Sequence, residues 1–310
     1  MKGTALFPSP APRAPSVPPG ARRLQALLAG LCFLLLTGCA NLGAIQEFAR
    51  TSADSAAYTQ LTDEYINSPE TSKRYTLESE ADKRAALDAK ALERKPQAAR
   101  LMLMHQALSS YMTTLGELAA DDLSEADTEL DAMFDAAAKA NYVDETTGAP
   151  LRSISKILVE AALNGYRQRE LNKVIAAGNA PLQQLIANQL AIMEGYRESL
   201  AVERAMQVSH QRALYAMARD KGREPVAAEL LWERGNLTAA QFAQREKALP
   251  KYVETLKQIA AGHQALYDNR ESLSNKEVAA QIKRYTKRIR AGLKAARTPS
   301  EAAAAAAAKP

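Results

Sequence analysis

The sequence predicts an all-α protein, an elongated multi-helix bundle with long antiparallel helices. Three observations point there. From Asn41 onward, apolar residues recur at three- and four-residue steps and no period-two alternation is sustained. Aromatic residues make up 5% of the chain and glycine only 14 of its 310 residues, which argues against a strand-rich architecture. One helical pattern, from Pro181 to Asp220, would extend roughly 60 Å, longer than a compact domain is wide.

The elements follow in order. A first helix is expected from Leu42 to Ile66, with Leu42, Ile45, Phe48, Ala49, Ala53, Ala56, Leu61 and Tyr65 near one face, ended by Asn67-Ser68-Pro69. Ser68 reads as the N-cap and Pro69 as the first position of a second, highly charged helix reaching Glu93. Pro96 opens a third, whose Leu101, Met102, His105, Leu108, Tyr111, Met112, Leu115 and Leu118 form a broad apolar stripe. Asp121 to Ser124 turn into an acidic helix from Glu125 to Ala140, and Asn141 to Pro150 reads as a surface loop. A fifth helix spans Leu151 to Ala177, and Gly178-Asn179-Ala180-Pro181 ends it before the long pattern begins. A short helix from Pro225 to Arg234 and a Pro250-kinked helix from Thr238 to Tyr267 come next. A last helix runs from Ser274 to Arg297, where Ser274 and Glu277 match a capping box and Val278, Ile282, Tyr285, Ile289 and Leu293 keep the core spacing. The organisation is therefore a helical domain over 42–297 and a low-complexity alanine-rich tail over 298–310.

The segment before this domain has a different grammar. Met1 to Gly20 is rich in Pro, Ala and Ser; Arg22 and Arg23 follow, then an apolar run from Leu24 to Leu36. A basic region feeding about thirteen apolar residues is too short to span a bilayer, which takes roughly twenty, and reads as a cleaved export signal. Two cysteines, Cys32 and Cys39, are the only ones, so a disulfide framework and a cysteine zinc site are excluded. Leu36-Thr37-Gly38-Cys39 ends the apolar run and resembles the lipobox of bacterial lipoproteins. The resemblance covers residues 21 to 40 and implies cleavage between Gly38 and Cys39, removal of residues 1–38 and lipidation of Cys39 at the start of a 39–41 leader. It also implies a membrane partner through that lipid and a Gram-negative address. Ala40 is not the aspartate that favours inner-membrane retention in such proteins, so the expected location is the periplasmic face of the outer membrane.

Charge narrows the function further. The whole chain carries +5, but Lys2, Arg13, Arg22 and Arg23 precede Cys39 with no acid among them, so the remainder is close to neutral and no nucleic-acid partner is expected. The remainder is nonetheless asymmetric. Residues Lys276 to Pro310 hold nine bases and two acids, and Cys39 to Asn275 hold 27 bases and 33 acids. On the last helix Lys283, Arg284, Lys287, Arg288 and Arg290 are candidates either to dock on the acidic body or to meet an anionic partner: an envelope protein, anionic lipid or lipopolysaccharide.

Catalytic signatures are lacking. No Gly-x-Ser-x-Gly elbow, phosphate-cradling glycine loop or His-Glu-x-x-His occurs. His105, His210 and His263 each precede a glutamine, but none stands in the Glu-x-x-His arrangement of carboxylate-bridged bundles, so buried helix histidines are expected and no metal or cofactor. The acids from Asp121 to Asp135 lack the glycine-centred loop of an EF-hand. The expectation is a non-enzymatic scaffold or binding protein of the cell envelope. Its rival is an envelope enzyme or metal-binding protein with a site assembled between helices.

Overall fold

The computed structural model describes residues 42–120, 145–163, 170–220 and 224–307. The signal segment with Gly38 and Cys39, the Asp121 turn and the acidic helix after it lie outside them. Residues Asn41–Pro310 make one compact unit. No strand occurs among the described residues. The helices are α1 (42–56), α2 (Gln60–Lys73), α3 (Ala81–Ala120), α4 (Glu145–Leu163), α5 (Leu171–Asp220), α6 (Pro225–Asp268) and α7 (Lys276–Ala307).

The fold is the expected helical bundle, and its long members run antiparallel. Along α5 and α6 the pairs Asn179–Gln264, Gln183–Ala260 and Arg204–Glu246 descend on one helix as they climb on the other. Arg94 with Ser199 and Tyr111 with Val174 set α3 antiparallel to α5 in the same way. At 50 residues, α5 is roughly 75 Å long. Glycines let helices approach where a side chain would collide: a Cβ at position 178 would strike the phenol of Tyr111, and one at 262 the ring of Phe48. α7 buries Val278, Ile282, Ile289 and Leu293 against the bundle, each such side chain contributing roughly 1.5–3 kcal/mol.

Helix boundaries differ from the expected ones. α1 stops at residue 56, and α2 runs straight through Asn67-Ser68-Pro69. Pro69 has no N–H to give the carbonyl of Tyr65, four residues back, and Arg94 Nη1 donates to that oxygen at 2.8 Å instead. The helix is thus continued by a guanidinium from α3. The same Nη1 reaches Ser68 Oγ, Nη2 reaches Ser199 Oγ, and the guanidinium carbon stands 4.1 Å from the centroid of the Tyr65 ring. Ser68 is therefore buried glue rather than a cap.

The real break falls at Arg74–Glu80, where Arg84 Nη1 caps the Thr76 carbonyl at 2.9 Å and Glu80 accepts the Leu77 N–H. Beyond it α3 is one helix across Pro96, which lies on the exposed side where water can meet the carbonyl it leaves open.

Three further corrections share one cause, tertiary packing overriding a local stop signal. α4 covers Glu145–Leu163 of the described residues, so 145–150 of the expected loop are helical, and 171–177 of the expected fifth helix belong to α5. Gly178-Asn179-Ala180-Pro181 lies inside α5, where Gly178 makes room for Tyr111. Gly235-Asn236 lies inside a single α6, so the two helices expected there are one. Finally, the cap of α7 is Asn275, not Ser274: its Oδ1 accepts the Glu277 N–H at 2.8 Å. α7 also continues past Arg297 to Ala307, as a run of the best helix former should.

Candidate functional site

Packing α7 through its apolar stripe turns the opposite face to solvent, so all five basic candidates are exposed. They divide by partner. Arg290 pairs with Glu47 of α1 at 2.8 Å, and Arg288 donates to Gln258 of α6. Lys283, Arg284 and Lys287 make no ion pair or hydrogen bond among the described residues. One base thus docks on an acid of the body, and three stand open.

The histidines do not converge. No group of three or more His, Cys, Asp or Glu placed to hold a metal occurs among the described residues. Two histidines instead join helices. His105 Nδ1 donates to the Ala56 carbonyl at 2.7 Å, capping the last turn of α1, and its Nε2 accepts from Thr62 Oγ1 at 2.8 Å. His263 repeats the scheme: Nδ1 donates to Asn179 Oδ1 at 2.9 Å and Nε2 accepts the Tyr111 phenol proton at 2.8 Å. Asn179 Nδ2 goes to Gln264, which fixes its oxygen toward the ring. Burial lowers both imidazole pKa values, that of His263 to about 3, because a proton added there would be an uncompensated buried charge. Both rings are neutral clamps. His210 sits apart, edge-on to Tyr75 at 6.0 Å.

One polar site escaped the sequence reading. Gln60, Asp63, Glu64, Asn67 and Thr71 follow one face of α2 and, with Glu203 of α5 and Arg245 of α6, line a cleft of about 250 Å³. Glu64 is held by Tyr196 Oη at 3.0 Å and by the Arg245 ion pair. Glu203 is 3% exposed; its Oε1 accepts from Gln207 and its Oε2 has no partner. Burial pushes its carboxyl up to about 7, a rise that Glu64 reinforces while Arg245 and Arg94 oppose it. The sequence signal existed: the α5 core row Met193, Tyr196, Leu200 continues at the same spacing as Glu203, Gln207 and Gln211. Carboxylates in so charged a chain are common enough that the row was lost among them.

No helix among the described residues is long and apolar enough to cross a membrane. No protein-family model, curated protein or solved structure matches the chain.

Proposed function

We propose that the chain is a lipid-anchored protein of the Gram-negative envelope. Cys39 tethers it to the periplasmic face of the outer membrane, and the bundle serves as a non-enzymatic scaffold or binding module. The observation that carries this reading is Leu36-Thr37-Gly38-Cys39 at the end of a basic and then apolar leader. Support comes from where the cut would fall, since the compact unit starts at Asn41 and cleavage before Cys39 removes none of it. Acyl chains contribute about 0.8 kcal/mol per buried methylene, so the two or three carried by a lipidated Cys39 would hold the protein on its membrane without any spanning helix. Ala40 supports the outer membrane over the inner.

Intact-mass spectrometry of the membrane-isolated protein tests this. A species beginning at Cys39 with added diacylglyceryl and acyl mass is expected, and Cys39→Ala should remove both the cleavage and the lipid. An unmodified thiol at Cys39 would overturn the proposal.

A further inference from the structure

The exposed bases of α7 are not scattered. Lys276, Lys283, Lys287, Arg290, Lys294 and Arg297 recur at steps of seven, four, three, four and three, one stripe along the helix that spans about 32 Å. Arg284 and Arg288 widen it on one side, and the stretch from 276 to 297 contains a single acid, Glu277. The buried stripe of Val278, Ile282, Ile289 and Leu293 lies beside it on the same helix, so the basic stripe flanks the packed face and all six of its bases are exposed.

The position of this face relative to the chain start can be read from the packing of α1 on α7. Arg290 bonds Glu47 and Arg297 bonds the Asp54 carbonyl, both at a sequence offset of 243, so the two helices run parallel and in step. The first residue of α1, Leu42, is therefore level with Tyr285, within one turn of Lys283, Arg284 and Lys287. Cys39 precedes Leu42 by three residues and can stand no more than about 11 Å from it, while neighbouring helices are spaced about 8–10 Å. The three bases without a partner thus lie on the helix beside the anchored end of α1.

We infer that α7 is a phospholipid-docking surface. Resting on the Cys39 anchor proposed above, the bundle lies with this face along the phosphates of the leaflet that holds the acyl chains, which fixes its orientation on the membrane. Lys283, Arg284 and Lys287 make the first contacts because they have no competing partner. Glu47 and Asp54 of α1 border the stripe and set its limit: Arg290 is already neutralised by Glu47, and Arg297 already donates to the Asp54 carbonyl. Basic groups near an anionic bilayer act over about a Debye length, so the contact is salt-sensitive where the acyl anchor is not.

The test uses residues 41–310, the compact unit, without lipid, and vesicles of phosphatidylcholine alone or with half phosphatidylglycerol. The unit should bind the anionic vesicles, ignore the neutral ones, and lose at least tenfold in affinity between 0.05 and 0.5 M salt. Lys283→Gln/Arg284→Gln/Lys287→Gln should lose more than tenfold while keeping the parent's melting temperature, since these side chains support nothing in the fold. Equal binding of parent and variant, or equal binding to both vesicles, would overturn the docking surface and leave the anchor standing. Vesicle binding by the unit together with an unlipidated Cys39 in cells would overturn the tethered orientation.

Discussion

The two ends of the α5–α6 hairpin use the same helical spacing for opposite purposes. Around Tyr111 and His263, glycines at 178, 262 and 292 bring helices together where a Cβ would overlap a neighbour, and the chain Tyr111–His263–Asn179–Gln264 pairs its polar atoms across three helices. Toward the tip, α5 places Glu203, Gln207 and Gln211 at its core positions, and Glu203 Oε2 and Gln211 Oε1 have no partner. There Val226, Leu230, Trp232 and Leu237 are more than half exposed. Periodicity decides that both regions are helix. Buried polar atoms without a partner occur in both regions, Gln189 and Tyr252 Oη in the first and Glu203 Oε2 and Gln211 Oε1 in the second. What separates them is the packing: glycine-permitted close contact at one end, a polar core row beside exposed apolar side chains at the other. The tightly held end is the one beside the start of α1, where a lipid anchor would transmit force.

Filling the tight end should cost most. Gly178→Ala sets a methyl against the Tyr111 phenol, and the variant should lose about 3 kcal/mol in denaturant unfolding because the phenol is fixed by His263 and cannot step aside. A cost under about 1 kcal/mol would mean that α3 and α5 are looser there than their contact implies.

The junction between the regions comes next. Arg94→Ala strips the carbonyl of Tyr65 and the hydroxyls of Ser68 and Ser199 of a donor and should cost about 2 kcal/mol. In a Pro69→Ala background the restored N–H can serve Tyr65 itself, so the Arg94→Ala cost should shrink by about 1 kcal/mol in a double-mutant cycle. An unchanged cost would show that the guanidinium does not stand in for the missing amide.

The cleft at Glu203 has the smallest effect and a distinctive sign. Its carboxyl is raised from 4.5 to about 7 in the fold, so between those values the native state holds a proton that the unfolded chain has released. That contribution is complete below about pH 4.5 and is lost as pH rises through 7. Glu203→Gln should accordingly stabilise the protein by about 1–2 kcal/mol at pH 8 relative to its effect at pH 4.5, measured by melting at both values. A pH-independent difference would show that Glu203 reaches water or Arg245 freely.

The comparison also marks what the residues disclosed unaided. Apolar stripes such as Ile45–Phe48 on α1 or Ile282–Ile289 on α7 recur at helical spacing, so the all-helical fold and its core were legible. Boundaries were not, because Pro69, Pro96 and Pro181 are stop signals by local rule, and the means of tolerating them are not local. Arg94 supplies the donor for Pro69 from α3, and Pro96 lies exposed on a continuous helix. The basic face of α7 could be read from charge alone, but its division into a docked Arg290 and open Lys283, Arg284 and Lys287 required the register with α1. Glu203 was hidden because its meaning comes from Glu64 and Arg245, distant in sequence.

Native-state hydrogen exchange of residues 41–310 tests the contrast between the two ends most directly. Amides of α5 over 174–193 and of α6 over 249–266 should exchange only through global unfolding, and those over 207–220 and 228–235 should exchange faster by roughly a hundredfold through local opening. Uniform protection along both helices would contradict the account, because a polar core row and exposed apolar side chains would then cost the tip nothing.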